Sequence, residues 1–194
     1  MMERDALAVM DFWFGRHGDR GRDTPRQQWF VKSDSFDEQI RDRFGMLIPR
    51  AIAGDLQSWS AEPESAVAQI LVLDQFTRNV FRGSAQAFAG DARALAAARA
   101  LVDAGTDRKL SGVQRQFVYL PFEHAEDIGA QNEALRLFAQ LERDAPEVGD
   151  LMSWAQRHHD VIARFGRFPH RNAALGRAST PEEIEFLKQP GSSF

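Results

Sequence analysis

The sequence predicts an all-α fold of antiparallel helix pairs with no sheet, and three observations carry that expectation. Apolar residues recur at three- and four-residue intervals through most of the chain, the period of a helix with one buried face. Glycines, prolines and Ser/Thr-x-x-Glu boxes punctuate the pattern at helix-length distances. No segment sustains the alternation of apolar and polar residues that marks a half-buried strand. At 194 residues the chain is expected to form a single domain, residues 1–194, around one core.

Leu7, Met10 and Phe14, flanked by Phe12 and Trp13, predict a first helix that Gly15 closes. The polar stretch from Arg16 to Arg26 has no period and reads as a loop, after which Trp29 and Phe30 return the chain to the core. Ser35-Phe36-Asp37-Glu38 has the form of a capping box. Phe36, Ile40, Phe44, Leu47, Ile48 and Ala51 carry that helix to Gly54, with a kink expected at Pro49. Pro63 opens a helix expected to run to about Arg82, and the alanine-rich segment from Asp91 to Ala104 predicts another, ended by Gly105. Ser111 starts a helix that Pro121 is expected to interrupt, the pattern resuming from Phe122 to about Leu141. Leu151, Trp154, Val161, Ile162 and Phe165 mark a further helix, capped by Gly166 and barred from continuing by Pro169. Thr180-Pro181-Glu182-Glu183 joins an N-cap, an N1 proline and a capping-box glutamate at the head of a short last helix through Leu187. No internal repeat is recognisable.

Composition narrows the function classes. Apolar residues make up 43% and charged residues 27% of the chain, an ordinary globular balance. Cysteine is absent, which removes disulfides, thiol nucleophiles and thiolate metal sites together. The longest aliphatic run, Ile70 to Leu73, is far short of the roughly 20 residues a membrane span needs. The first residues show no signal-like apolar core, so no membrane association and a cytoplasmic location are expected. A net charge of −4 and a pI near 5.7 argue against a nucleic-acid partner, because such affinity comes mainly from phosphate neutralisation by a basic surface.

Three stretches concentrate the polar chemistry. His158 to Arg177 carries Arg164, Arg167, Arg171 and Arg177 and three histidines against a single carboxylate, Asp160. Leu73 to Gly83, LDQFTRNVFRG, aligns Asp74, Arg78 and Arg82 at four-residue spacing with Gln75 and Asn79 beside them. Leu71 and Val67 lie one and two turns earlier on that stripe, so it faces protein at least in part. In Tyr119 to Asp127, YLPFEHAED, a helical wheel puts His124 in line with Ile128, Gln131, Leu135 and Phe138, with Glu123 and Asp127 at the margin. His158 falls among the apolar positions of its own helix. Buried charges must pair, so Arg78, Arg82, Arg167 and Arg171 are expected to meet Asp74, Glu123, Glu126 or Asp127.

Two readings follow. One is a hydrogen-bonded ion network that fixes helix register. The other is a pocket whose surplus arginine charge binds a small anionic ligand, with Glu123, His124 or His158 available for proton transfer. Its candidate ligand-binding residues are Asp74, Gln75, Arg78, Asn79, Arg82, Glu123, His124, Asp127, His158, Arg167, His170, Arg171 and Asn172. No metal and no cofactor are expected: neither the H-E-x-x-H nor the Glu-x-x-His spacing occurs, and there is no phosphate-binding loop or nucleophile elbow. A third reading places RNA on Arg164, Phe165, Arg167, Phe168 and Arg171, against the overall acidity.

The strings DFWF (Asp11 to Phe14), LDQFTRNVFRG, YLPFEHAED, RFGRFPHRNAALGR (Arg164 to Arg177) and the closing FLKQPGSSF together resemble the bacterial family known as domain of unknown function 924. The resemblance spans essentially the whole chain. It implies an all-helical fold similar to tetratricopeptide-repeat proteins, a superhelix of antiparallel helix pairs, and it brings no activity or catalytic residues. Helix-pair superhelices commonly hold protein partners, so the alternative to the anion site is an interaction scaffold with exposed aromatics, Trp29 or Trp59 among the candidates.

Overall fold

The computed structural model describes residues 2–193; Met1 and Phe194, the last residue of the FLKQPGSSF string, lie outside them. Among the described residues every regular element is helical. The helices are α1 (Arg4–Phe14), α2 (Asp34–Phe44), α3 (Leu47–Ala53), α4 (Pro63–Ile70), α5 (Thr77–Val80), α6 (Asp91–Asp103), α7 (Gly112–Glu123), α8 (Ile128–Asp144), α9 (Met152–Phe165) and α10 (Pro181–Leu187). A π-helical segment, Leu71–Phe76, joins α4 to α5 without a break. Short connections lay α7 against α8 and α8 against α9 as successive hairpins, and α4 packs between α1 and α6.

Local chemistry accounts for most boundaries. Ser111 and Gln114 form a reciprocal box at the head of α7, as Thr180 and Glu183 do for α10. Gly54 and Gly166 close α3 and α9 at φ +96° and +69°, the left-handed turn that glycine adopts without a Cβ penalty. Elsewhere the expected boundaries need correction. The cap of α2 is Ser33, whose hydroxyl accepts from Phe36 N at 3.3 Å, and not Ser35. Pro49 does not kink one long helix: the chain breaks at Gly45–Met46, four residues before the ring, where its clash with the preceding carbonyl falls. Pro121, conversely, interrupts nothing. Val113 to Glu123 is buried throughout, and that burial outweighs the roughly 3 kcal/mol of an internal proline. The break comes after Glu123, with Asp127 as the new N-cap accepting from Ala130 N at 2.7 Å.

The stretch from Ser65 to Thr77 has no exposed residue, so α4 and the π segment form the buried axis of the molecule. A helix apolar on every side must be surrounded, and here α1, α3, α6 and α7 surround it. The π turn leaves carbonyls without their usual partners. Thr77 Oγ1 donates to Leu73 O at 2.8 Å, and Arg78 donates to Asp74 O at 2.7 Å. At one end Trp13, Phe14, Trp29 and Phe117 pack together, the two indoles stacked and Phe117 edge to face with Trp29 at a centroid distance of 5.0 Å. Trp29 and Trp59 are therefore core residues at 6% and 1% exposure and cannot be groove aromatics. Trp154, placed by periodicity on the inner arc of α9, is 50% exposed and lies under Arg157.

Two predictions follow from packing. Gly90 sits so close to the π turn that a Cβ would overlap the Leu73 carbonyl and its backbone. Neither side is a flexible side chain, so Gly90→Ala should cost about 1–3 kcal/mol or more, measured by urea unfolding. Tyr119, the single tyrosine, is buried and donates to Asp107 at 2.5 Å. Burial, and then that bond, push its phenol up to about 12. Because the folded state favours the neutral phenol, this stabilisation is complete below the unfolded value of about 10 and is lost as pH rises towards 12. Ultraviolet titration should show no phenolate near pH 10 until the protein unfolds.

Candidate functional site

The π turn carries Asp74, which is 1% exposed and holds three side chains at once. Gln75 Nε2 donates to its Oδ2 at 2.6 Å; Arg78 and His124 Nδ1 reach its Oδ1 at 2.9 and 2.7 Å. Burial alone would push this carboxyl up, but Arg78, His124 and the hydrogen bonds outweigh it and hold Asp74 well below the usual carboxylate range. A carboxylate only accepts, so the proton between the two sits on His124 Nδ1. Burial lowers the His124 pKa against the pull of Asp74, which favours the neutral ring with its lone pair on Nε2.

Glu123 and His124 end α7, and α9 brings His158 to them. His158 Nδ1 lies 2.9 Å from Trp154 O and 3.0 Å from Glu123 Oε1. Glu123 and His158 are 4% and 5% exposed, and the two imidazole centroids are 6.1 Å apart. Glu123, His124 and His158 each bring one ligand-type atom to within 4.8 Å of the others. Gln131, fully buried, clamps the turn by donating to the carbonyls of Glu123 and Ala125.

The arginines surround this centre, each paired with a carboxylate. Arg78 forks onto Asp91 at 2.8 and 3.0 Å. Arg171 donates to the same Asp91 at 3.1 Å and to His124 O at 3.0 Å, with its guanidinium between Phe88 and Phe168. Burial, and next the neighbouring Arg78, bring Arg171 down to about 10, so it stays cationic at neutral pH. His170, tilted against Phe168, falls to about 4 through burial and the Arg171 charge. Arg177 forks onto Glu126 at 2.6 and 2.8 Å. Arg167 forks onto Glu183 at 2.6 and 2.8 Å, and Asn172 joins Glu183, Ser179 and Arg177.

The expected set therefore divides. Asp74, Gln75, Arg78, Glu123, His124, His158 and Arg171 converge. Asn79 and Arg82 do not: both bind Asp37 on α2, because the π turn shifts the register and the helix ends at Val80 before a third turn can align Arg82. Asp127 is a helix cap, and the wheel that aligned His124 with Ile128 fails because the helix breaks between them. Arg167 and Asn172 serve the C-terminal fold-back, while His170 lies at the edge of the cluster, within electrostatic reach of Arg171, His158 and Glu126. Surplus arginine charge is not found, since Arg78, Arg82, Arg167 and Arg171 each have a carboxylate partner. Arg164 and Arg167, which the RNA reading needs, are paired with Glu182 and Glu183. Sequence reasoning missed Asp91, Asp37 and Glu183 as partners. Asp91 looks like any acid in a first helical turn, and Asp37 falls inside the Ser35–Glu38 capping-box pattern.

Two cavities lie outside the cluster. One of about 490 Å³ is lined by Asp11, Phe12, Arg16 and Arg43 among others; one of about 400 Å³ by Arg99, Phe122, Asp127 and Glu133 among others. Neither is lined by the clustered arginines or imidazoles.

Comparison with known proteins adds family and fold. The family model described as bacterial protein of unknown function (DUF924) matches residues 9–191. A solved structure of a protein of unknown function from Agrobacterium tumefaciens is similar at 40% identity and a TM-score of 0.79, over 94% of this chain and 96% of that one. No curated protein matches.

The ion pairs differ in burial, and so should the effects of cutting them. Asp91→Ala would leave Arg78 and Arg171 facing each other without their shared counter-charge, at a cost of about 3–5 kcal/mol. Arg82→Ala removes a pair whose arginine is 44% exposed and should cost about 1 kcal/mol or less. Urea denaturation of the two variants side by side checks the contrast.

Proposed function

The chain belongs to the bacterial family of unknown function DUF924, and we propose that it is a small-ligand-binding protein working through the buried centre of Glu123, His124 and His158. The observation that carries this reading is that two imidazoles and one buried carboxylate each bring a ligand-type atom to within 4.8 Å of the others, with His124 Nδ1 tied to a second buried carboxylate, Asp74. For holding helices together an apolar core would serve as well, since buried ion pairs are often matched or exceeded in stability by apolar residues. Acid and imidazole groups in that setting supply what packing cannot: lone pairs and protons at fixed positions.

The arginines then have a supporting part. Arg78 and Arg171 balance Asp74 and Asp91, and Arg177 ties the segment after α9 to Glu126. This favours a centre that accepts a neutral or cationic group over the small anion first expected. The interaction-scaffold reading has less support, because its named aromatics, Trp29 and Trp59, are in the core. The exposed ones, Phe30 and Trp154, belong to different elements.

Thermal unfolding against carboxylic acids, phosphorylated metabolites and amines, each with a chelator and then with added Zn²⁺, tests the reading. A ligand at about 100 times its Kd adds about 2.7 kcal/mol, and each kcal/mol moves the midpoint by about 2–4 °C at this size. The expected result is a rise for wild type and Arg82→Ala that Glu123→Gln and His124→Gln abolish. A rise confined to phosphorylated or carboxylated compounds and lost in Arg171→Met would restore the anion site. No rise for any compound would leave the centre a structural network.

A further inference from the structure

Resting on that reading and naming the ligand's class, we propose that Glu123, His124 and His158 bind one divalent transition-metal ion, with Asp74 as the carboxylate that orients His124. Two imidazoles and a carboxylate are a donor set suited to Zn²⁺ or Fe²⁺ and poorly suited to Mg²⁺ or Ca²⁺, which take oxygen ligands. The spacing that was absent from the sequence is supplied in space, because α7 ends on adjacent Glu123 and His124 while α9 crosses them with His158.

Four features of the surroundings point to a cation. Metal-binding histidines commonly give their second ring nitrogen to a carboxylate, and His124 Nδ1 does so to Asp74 at 2.7 Å. Asp74 is itself immobilised by Gln75 and Arg78, so the ring is held before any metal arrives. The local charge is also right. Asp74, Asp91, Glu123 and Glu126 stand against Arg78, Arg171 and Arg177, four carboxylates to three guanidiniums. Glu123 and His124 further occupy the C-terminal end of a 12-residue helix, whose partial negative charge favours a cation and opposes an anion. Lastly, Gln131 clamps this same turn and keeps Oε1 buried without a donor, and a buried acceptor of that kind calls for water or an ion nearby.

Binding requires a small contraction. Donors now within 4.8 Å would close to about 3.3 Å around a tetrahedral ion with bonds of about 2.0–2.1 Å. His124 would bind through Nε2, since Asp74 holds Nδ1. Three protein ligands leave a fourth position for water or a substrate atom, the arrangement of catalytic rather than structural sites.

The test uses the full chain stripped with a chelator and titrated with Zn²⁺ and Co²⁺ by calorimetry, with Mg²⁺ as control. We expect one equivalent of Zn²⁺ or Co²⁺, visible bands of four- or five-coordinate Co²⁺, loss of binding in His158→Ala, and a 10–100-fold weaker affinity in Asp74→Asn. Circular dichroism checks the fold of each variant. The Co²⁺ spectrum of the wild type decides the matter even where a variant fails to fold, because six-coordinate water-like bands or no saturable uptake would overturn the metal site. Tight Zn²⁺ binding that survives unchanged in folded His158→Ala would overturn it too. If the metal fails while an organic ligand still stabilises wild type but not Glu123→Gln, the centre remains a ligand site; if both fail, both readings fall.

Discussion

A single carboxylate, Asp74, in the interior of the protein sets the terms for everything around it. An ionised group there costs several kcal/mol unless it is answered, and the answers come from three directions. Gln75 comes from its own turn, Arg78 from the next turn, and His124 from the end of α7. Each answering group needs its own partners. Arg78 draws in Asp91 at the head of α6, Asp91 draws in Arg171, and Arg171 closes the loop on the His124 carbonyl. Burial at one atom thus fixes the relative positions of α5, α6, α7 and the segment after α9.

This chain of obligation ends where the chemistry becomes interesting. On the arginine side each guanidinium has a carboxylate partner, although Arg171 Nε is buried without one among the described residues, and Arg171 also lies as a plate between Phe88 and Phe168. The imidazole side is organised differently, since His124 is fixed through Nδ1 to Asp74 and His158 Nδ1 lies against the Trp154 carbonyl and Glu123. A network serving stability alone gains nothing from that asymmetry. Proteins accept awkward groups of this kind where a function requires them.

Much of this was legible in the sequence, and the parts that were not have physical reasons. The helical class, the buried polar stripe after Leu73 and the inward face of His158 follow from periodicity, which reports burial directly. Periodicity assumes an unbroken 3.6-residue turn, however, and the π segment violates it, so Arg82 and Asn79 were drawn into a cluster they do not join. Pro49 and Pro121 mislead in opposite directions because a proline's effect falls one turn upstream and competes with tertiary burial. The convergence of Glu123, His124 and His158 could not be read from spacing at all. It depends on two helices crossing, and Asp91 and Gln131, unremarkable in sequence, are among the residues that hold the ends in register.

The π turn also has a bearing on how the chain tolerates length changes. Counted in residues, Leu71–Phe76 is an ordinary helix with one residue added, and the surplus is absorbed as a widened turn beside Gly90. Deleting one residue there would let the segment relax to a regular helix while the helices before and after it kept their places, because the widened turn is what absorbs the surplus. Asp74, inside the turn, would then be displaced from Arg78 and His124 while the core periodicity of α4 stayed intact. The segment is therefore the place where a length change too small to alter the fold would still dismantle the polar centre, and aligned relatives that keep the centre should carry no gap across it.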